Sequence, residues 1–394
     1  MSSDSRIIKE SFALMAPEAD KASAYFYGRL FAEHPQLRTL FPPAMDRQRD
    51  RMLRALTRIV WSLEDPDSLT GYLRDLGRDH RKLGIRPEHY AAVGTALIAT
   101  LRKFGGPWWT PRMEAAWTAA FSAAAATMID AAEAEAEHSP PWWVGEVVGH
   151  ERYGHDLAVL TIRPDQPLRH VAGQHISVQT ARWPRVWRRY SVANAPRPDG
   201  ALTLHVRAVP GGWVSGALVR YTKVGDRLTL GPAMGGLTLQ ASSGGDLLLV
   251  AGGTGLAPLK ALAEQVAATE PGRRVHLVWG VRTTVDLYAL PQLRALEAGC
   301  AGLRVTVAVS DDPSFDGLQG TAADVLDRLD EPLGPDTDVY VSGPAAMVAR
   351  TVGVLRDRGV PPERIHHDEP EEAEPQVAAA RFVEQRVTAR QPAI

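Results

Sequence analysis

Three patterns of apolar and polar positions follow one another along the chain. In residues 1–138 apolar side chains recur at intervals of three and four, as at Met52, Leu56, Ile59 and Leu63, which predicts amphipathic helices. Proline and glycine interrupt this pattern at several places and mark the helix ends. Residues 1–138 therefore predict an all-α domain.

The second pattern begins after Ser139-Pro140-Pro141, where consecutive prolines favour a stiff, extended linker. Short β-type runs then alternate with turns rich in glycine, proline and aspartate. Runs of this length and spacing predict a small antiparallel β-barrel over residues 139–240. The runs are Val144–Val148, Leu157–Ile162, His175–Gln179, Arg189–Val192, Leu202–Ala208 and Arg227–Leu230.

The third pattern, over residues 241–370, alternates buried strands with helices. Its first strand, Leu247–Val250, is continuously apolar, which predicts a strand buried on both faces of a parallel sheet. Further strands are predicted at Val275–Gly280, Leu303–Val309 and Val339–Ser342. The expected fold class is therefore multidomain: all-α, then an antiparallel barrel, then parallel α/β. Residues 371–394 are rich in alanine and charge and predict a loose helix or a disordered tail.

Composition narrows the class of protein. Of the 394 residues, 45% are hydrophobic and 23% charged, as in soluble globular proteins, and the net charge of −2 favours neither nucleic acid nor an anionic membrane as partner. The single cysteine, Cys300, excludes an intramolecular disulfide and a cysteine-ligated iron–sulfur cluster. Met1–Glu10 is polar, and the alanine-rich stretch 115–132 has helical rather than membrane-spanning character, so we expect a cytoplasmic protein.

The barrel region carries residues suited to a planar, phosphate-bearing ligand. Tyr190 can cover the face of a flat ring, the Arg188 guanidinium can pair with phosphate, and Ser191 can reach a ring nitrogen or carbonyl. Farther on, Gly211 and Gly212 leave backbone amides open to a pyrophosphate, and they are followed by Val214 and Ser215 at the start of a predicted helix. Each motif alone is weak, and in isolation a simple hairpin turn explains Gly211-Gly212 better.

The third region has a stronger signal. Its first strand runs directly into a glycine loop and a helix, the context that a dinucleotide fingerprint requires. The positions are Gly252, Gly253, Thr254, Gly255 and Pro258. A second loop, Ser342-Gly343-Pro344, follows the last predicted strand of the sheet.

The first three of these motifs, in the order Arg188–Ser191, Gly211–Ser215 and Gly252–Pro258, resemble the flavin-and-nicotinamide module of the ferredoxin reductase family. The helical region in front of them resembles the globin domain of flavohaemoglobins, and the layout of nearly the whole chain is similar to that family. The resemblance implies a globin domain at 1–138, an FAD-binding barrel at 139–240, an NAD(P)-binding domain at 241–370 and a tail at 371–394. The implied cofactors are haem b with its iron, FAD and NAD(P)H.

The resemblance also assigns roles to residues of the helical region. His80 matches the proximal haem ligand, Tyr90 the tyrosine that orients its imidazole, and Phe41 the aromatic that wedges the haem. Tyr27 matches the distal tyrosine that donates to dioxygen. Gln48 matches the distal glutamine, and a shifted alignment would place Met52 there instead.

Some positions depart from the family pattern. In the family a glutamate on the last helix bonds the proximal imidazole, but counting without gaps from Trp117 reaches Ala134 at that position. We take Glu135 as the candidate for this bond, with Glu133 or neither glutamate as the alternatives. Ser342 replaces the family's cysteine near the nicotinamide, and Pro370 replaces the flavin-stacking aromatic, a place that His367 would only partly fill.

The resemblance implies nitric oxide dioxygenase activity: electrons pass from NAD(P)H through FAD to haem, and dioxygen oxidises nitric oxide to nitrate. Two alternatives stay open, a reductase for quinones, peroxides or other acceptors and a globin-based oxygen or redox sensor. The expected partners are small molecules, and the expected state is a monomer or weak dimer. The choice between NADH and NADPH is open, with Arg273, Arg274 and Arg282 as candidates to contact a 2′-phosphate.

Overall fold

The computed structural model describes residues 3–240, 244–328, 333–334 and 336–368. These residues fall into two compact units, one ending at Trp142 and the other beginning at Trp143. The first unit is helical and the second contains both β-sheets. The predicted all-α, antiparallel and parallel α/β parts are therefore confirmed, and the last two share one unit.

The described residues of the first unit form six α-helices. They are α1 (Ser3–Met15), α2 (Ala19–Glu33), α3 (Asp46–Trp61), α4 (Pro66–His80), α5 (Pro87–Gly105) and α6 (Pro111–Ala136). Proline opens three of them, at a position where the backbone N–H has no helical partner to lose. The Asp65 and Thr110 side chains cap α4 and α6 by accepting from the backbone amides of Ser68 and Met113.

Close helix crossings fix the end of α4. Gly77 faces α6 so closely that a Cβ there would lie 2.2 Å from the Met128 carbonyl oxygen. Nearer the amino end of α6, the indole N–H of Trp117 donates to Ser11 Oγ of α1 at 2.9 Å. His80, three residues beyond Gly77, is therefore the last residue of a helix clamped against the unit's longest helix.

The second unit begins with an antiparallel sheet in the order β4-β3-β6-β1-β2-β5. Its strands are β1 (Trp143–Tyr153), β2 (Leu157–Pro164), β3 (His175–Thr180), β4 (Arg188–Ser191), β5 (Leu202–Arg207) and β6 (Arg227–Met234), with α7 (Trp213–Arg220) between β5 and β6. The expected barrel is not closed. The edge strands β4 and β5 meet only just past β4, where Val192 forms a single bridge with Leu204.

A parallel sheet follows in the order β10-β9-β8-β7-β11-β12. Its strands are β7 (Leu247–Gly252), β8 (Val275–Val281), β9 (Leu303–Val309), β10 (Leu318–Gln319), β11 (Asp338–Ser342) and β12 (Ile365–His367). The helices are α8 (Leu256–Thr269), α9 (Leu290–Gly299), α10 (Ala322–Arg328) and α11 (Ala345–Asp357). The strand order reverses direction between β7 and β11, and such a switch point opens a crevice at the carboxyl ends of the strands.

Buried polar contacts join the two sheets of this unit. Lys260 Nζ of α8 donates to the Ala193 carbonyl at 3.1 Å and pairs with Glu264, whose other oxygen accepts from the Ala195 amide at 3.0 Å. The Tyr288 hydroxyl lies 2.9 Å from His205 Nδ1 of β5. Burial lowers the pKa of His205 to about 3, so this imidazole is neutral and rigidly placed.

In the parts of the chain that the structure describes, no helix combines the length and the apolar character needed to cross a membrane. The alanine-rich stretch 115–132 lies inside α6, where Trp117 and Met128 are buried against the other helices.

Candidate functional site

Tyr27, Phe41 and Gln48 come together in the first unit from three different elements. Tyr27 lies on α2 and is 4% exposed, and its ring packs edge-on against Phe41 with 5.5 Å between centroids. Gln48, in the first turn of α3, donates from Nε2 to the Tyr27 hydroxyl at 3.3 Å. The side chains assigned to the distal side of a haem therefore form one cluster, in which Gln48 makes the hydrogen bond to Tyr27 and Met52 packs on the apolar core.

Burial decides the protonation state of this tyrosine. It raises the pKa of Tyr27 to about 12, because the phenolate would lose hydration that the Gln48 amide only partly replaces. The hydroxyl therefore keeps its proton at any physiological pH. Since its oxygen already accepts from Gln48, that proton remains for donation to a bound ligand.

His80 has the geometry of a metal-ligating imidazole. Its Nδ1 lies 2.7 Å from the Leu76 carbonyl oxygen, one turn earlier on α4. A carbonyl can only accept, so Nδ1 carries the hydrogen and Nε2 keeps its lone pair. Burial lowers the pKa of His80, which favours this neutral form. One imidazole with a backbone-fixed tautomer is a donor set that fits haem iron.

The segment carrying Phe41 lies near the segment that follows His80. A Cβ placed on Gly84 would lie 3.9 Å from Leu40 Cδ2, the side chain just before Phe41. Gly84 itself has φ +73, a left-handed conformation that ends the helical turn after His80 and that other residues adopt at a cost. The two assigned faces of a haem are thus brought into one region of the first unit.

The structure does not bring Glu135 to the imidazole. Glu135 Oε1 accepts from Ser139 Oγ at 2.8 Å, and Oε2 lies 3.6 Å from Arg78 Nε. In this arrangement the Leu76 carbonyl orients His80, and the expected bond from Glu135 is not formed. Tyr90, on α5, is partly buried, and burial raises its pKa to about 12, so its hydroxyl is protonated. Its role beside the imidazole stays a prediction.

Arg188, Tyr190 and Ser191 make up β4, at the edge of the antiparallel sheet. Pairing with β3 sets Tyr190 opposite Ile176 and Arg188 opposite Val178, so the two side chains share one face by the two-residue period. Tyr190 packs against the core of the sheet. Arg188 Nη1 donates to the Trp187 carbonyl at 2.7 Å, which holds the guanidinium beside the strand.

The first turn of α7 fits a pyrophosphate. Gly211 has φ +68, and a Cβ on Gly212 would lie 2.4 Å from Ser215 Oγ, so only glycine leaves this turn open. Ser215 Oγ lies 3.3 Å from the Val209 amide, and Val214 is buried at 1% exposure. Ser215 and Val214 therefore fix the turn, and the amides at the amino end of α7 are left for an anion.

The dinucleotide fingerprint lies at the crevice between β7 and β11. A Cβ on Gly255 would lie 2.3 Å from the Ser342 carbonyl oxygen, and one on Gly252 would lie 3.1 Å from Pro344 Cδ. Gly253 and Thr254 form the short turn between β7 and α8 with Gly255, and Pro258 is buried in the first turn of α8. Ser342-Gly343-Pro344 therefore packs on the fingerprint, and the cradle fits the pyrophosphate of a nicotinamide dinucleotide.

A tryptophan that sequence reasoning missed supports this loop. The indole N–H of Trp279 donates to the Gly253 carbonyl at 2.9 Å, and the ring is fully buried. Trp279 packs edge-on against Tyr288, which in turn bonds His205 of the antiparallel sheet. The only signal in the sequence is a tryptophan inside a strand that is otherwise mainly valine and leucine.

The three candidate arginines for a 2′-phosphate lie at opposite edges of the parallel sheet. Arg273 donates to the Gly245 carbonyl at 2.7 Å and Arg274 pairs with Asp246 at 2.5 Å, both at the amino ends of the strands. Arg282 follows directly after β8, at the carboxyl edge where dinucleotides bind. Asp286, four residues further along the chain, is already paired with Arg207 at 2.5 Å.

We therefore expect Arg282→Ala to lower the selectivity for NADPH over NADH, by up to about fivefold because an exposed ion pair is worth up to about 1 kcal/mol. The measurement is the ratio of kcat/KM values for the two coenzymes. Arg274→Ala is the matched control and should leave the ratio unchanged. An unchanged ratio in the Arg282 variant would exclude contact with the 2′-phosphate.

Two expectations concern residues outside the described part of the chain, the position of Pro370 and the tail at 371–394. His367 ends β12 with an exposed side chain, and its Nδ1 lies 3.2 Å from the Asp368 carbonyl oxygen.

Three family models match successive parts of the chain: Globin at residues 24–128, Oxidoreductase FAD-binding domain at 145–238, and Oxidoreductase NAD-binding domain at 249–352. The chain is 28% identical to a flavohemoprotein of Bordetella pertussis over 387 residues, which cover 91% of this chain and 96% of the relative. It is 34% identical over 220 residues to the xylene/toluene monooxygenase electron transfer component of Pseudomonas putida, covering 55% of this chain and 62% of that protein.

A solved structure shows the same fold over nearly the whole chain. The flavohemoglobin of Malassezia yamatoensis, with bound FAD and heme, superimposes with a TM-score of 0.78 at 19% identity, covering 93% of this chain and 98% of that one.

Proposed function

Because the chain belongs to the flavohaemoglobin family, we propose that it is a nitric oxide dioxygenase. In the balanced reaction one NAD(P)H, two dioxygen and two nitric oxide molecules give one NAD(P)⁺, one proton and two nitrate ions. The observation that carries the proposal is the buried Tyr27–Gln48 pair, a hydrogen-bond donor set for a polar diatomic ligand.

The chain is an NAD(P)H-dependent flavohaem oxidoreductase with haem b and FAD as its cofactors. When bound, FAD converts the hydride of NAD(P)H into single electrons, and haem iron supplies dioxygen binding and one-electron chemistry. His80 would hold the haem iron. Tyr190 and the turn at Gly212 would hold FAD, and the Gly252–Gly255 loop would hold NAD(P)H.

On the distal side of the haem site, the protein itself contributes one oriented hydrogen-bond donor, the buried Tyr27 hydroxyl. Gln48 donates to the Tyr27 oxygen and so turns the tyrosine's own proton toward the ligand. Phe31 and Phe41 pack against the Tyr27 ring, with 5.8 and 5.5 Å between ring centroids, and Tyr27 is only 4% exposed. In such surroundings the Tyr27 hydroxyl would make a strong hydrogen bond to a ligand atom that carries partial negative charge.

The direct test measures nitric oxide consumption in air with an electrode while NADH or NADPH is supplied. The proposal expects sustained consumption, with two nitrate ions formed per NAD(P)H oxidised. Coenzyme oxidation that is indifferent to nitric oxide would contradict it. A protein that binds oxygen but turns over no coenzyme would instead be a sensor.

Tyr27→Phe isolates the proposed hydroxyl. A hydrogen bond to a charged group is worth about 1.5–3 kcal/mol, so the variant should release dioxygen roughly tenfold faster or more. Stopped-flow measurement of the dissociation rate on the reduced protein checks this, and nitric oxide consumption should fall with it at low oxygen.

Tyr25→Phe is the matched control, because Tyr25 lies on the same helix but packs against Phe104 and Lys103 instead. Its oxygen release should equal that of the unaltered protein. Equal release rates in the Tyr27 and Tyr25 variants would remove Tyr27 from the mechanism.

A second candidate function is reduction of an external acceptor by the flavin half. The observation favouring it is that the chain is 34% identical over 220 residues to a monooxygenase electron transfer component. Under this alternative, NAD(P)H would reduce an added electron-transfer protein at the same rate whether or not haem is bound.

A further inference from the structure

Two tryptophans form a stacked pair beside the turn assigned to the FAD pyrophosphate. Their ring centroids are 4.7 Å apart and their planes differ by 22°. Trp213 is the first residue of α7 and follows Gly212 directly. Trp183 lies in residues 181–187, the connection that leads from β3 into β4 and thus into Arg188 and Tyr190. The pair therefore joins the segments that flank both flavin motifs.

The connection that carries Trp183 has a fixed conformation. The Trp183 amide donates to the Thr180 carbonyl at 3.1 Å, and the Arg185 amide donates to Gln179 Oε1 at 2.5 Å. Arg185 is the one non-glycine residue of the described chain with positive φ, at +66. A long side chain adopts this conformation only where its surroundings impose it. The same connection also reaches the far end of α7, where the Arg182 guanidinium lies 4.3 Å from the Tyr221 ring centroid.

The pair leaves an aromatic surface open. Trp183 packs on the core of the antiparallel sheet and covers one face of Trp213. Trp213 nevertheless stays 41% exposed, which leaves its other face toward solvent. A large apolar ring held rigidly in water next to a ligand site is typical of a binding surface for another flat ring.

We propose that the exposed face of Trp213 stacks on the adenine ring of FAD, with Trp183 as the second layer behind it. In FAD the adenosine is joined to the flavin through the pyrophosphate, and the pyrophosphate turn, Gly211 and Gly212, lies immediately before Trp213. Arg188, the cation assigned to the phosphates, follows the Trp183 connection. The adenosine attached to the pyrophosphate would therefore lie next to the exposed face of Trp213. Every purine has a flat aromatic face that stacks well on an aromatic ring.

The test compares FAD with FMN, which has the same flavin and one phosphate but no adenosine. Flavin is removed from the full-length protein, and the dissociation constants of both flavins are measured by fluorescence titration. Trp213→Ala should weaken FAD by about tenfold, within the range found when a ring stacked on a base is removed, and should leave FMN within about twofold. Trp213→Phe, which keeps a smaller ring, should lose less FAD affinity than Trp213→Ala.

Trp108→Ala is the matched control, since Trp108 is an even more exposed tryptophan of the helical unit, at 74%. It should change neither constant. Unchanged FAD affinity in Trp213→Ala would overturn the proposal. Equal weakening of FAD and FMN would also overturn it, because the tryptophan would then only support the turn. The readout is flavin binding, so it is independent of whether the protein consumes nitric oxide.

Discussion

His80→Ala is expected to abolish haem binding and, with it, nitric oxide consumption, while flavin reduction by NAD(P)H continues. The imidazole is the one side chain assigned to the iron, and its Nδ1 is already committed to the Leu76 carbonyl. Loss of even an outer partner of a metal ligand lowers affinity or activity by about 10- to 100-fold, so loss of the ligand itself should exceed that. The measurements are the haem absorption band and the nitric oxide electrode.

Two controls make this result specific. His138→Ala removes an exposed histidine from beyond the end of α6 and should change neither haem content nor nitric oxide consumption. His80→Gly with added imidazole should recover the haem band, because free imidazole can occupy the vacated place. A His80→Ala protein that binds haem normally and consumes nitric oxide would refute the assignment of the ligand.

His80→Ala also separates the two candidate functions. If the flavin half serves an external acceptor, reduction of that acceptor by NAD(P)H should be unaffected in the variant. If the haem is the acceptor, oxidation of NAD(P)H should slow to the rate at which reduced flavin reacts with oxygen by itself.

Gly255→Ala should have the second largest effect, and the step that it slows is the reduction of FAD by NAD(P)H. The added Cβ would lie 2.3 Å from the Ser342 carbonyl oxygen and 2.6 Å from Gly343 Cα, both of which are backbone atoms. To avoid this overlap, α8 must move away from the end of β11. That movement distorts the loop that would bind the dinucleotide. Overpacking of this kind costs about 1–3 kcal/mol, so reduction of FAD by NAD(P)H should slow by roughly 5- to 150-fold.

The variant should still bind FAD, and dithionite should still bleach it, because the flavin motifs lie in the antiparallel sheet. Gly272→Ala is the matched control, since a Cβ there meets nothing within 4 Å. Stopped-flow bleaching of the flavin by NADH and NADPH measures the effect. An unchanged rate in Gly255→Ala would show that the loop is not the coenzyme site.

The sequence predicted the class of each part of the fold because local periodicity carries that information. The helices of the first unit lie where apolar residues recur at intervals of three and four. The two sheets of the second unit lie where the sequence has short β-type runs. Closure of the barrel was predicted and is not found. Closure depends on how the edge strands β4 and β5 meet, and a single bridge between Val192 and Leu204 is a contact that no strand pattern encodes.

The candidate site likewise contains residues that the sequence identifies and contacts that only the structure reveals. Residues close together in sequence, such as Gly252–Gly255 after β7, could be recognised from spacing because their geometry is local. The contact between Glu135 and Arg78 could not, since it depends on where α4 crosses α6. The sequence predicts a bond from Glu135, one residue beyond the aligned position, to the His80 imidazole. In the structure the Leu76 carbonyl makes that bond instead.

By itself the sequence determined the order of the parts, their fold classes, and the glycine and aromatic motifs that suit haem, FAD and a nicotinamide dinucleotide. Only the tertiary structure decided which distant residues meet. It joined Gln48 to Tyr27, brought the Ser342 carbonyl against Gly255, and stacked Trp183 on Trp213. The physical reason is that periodicity fixes the direction of a side chain within its own element, whereas packing between elements fixes its neighbours.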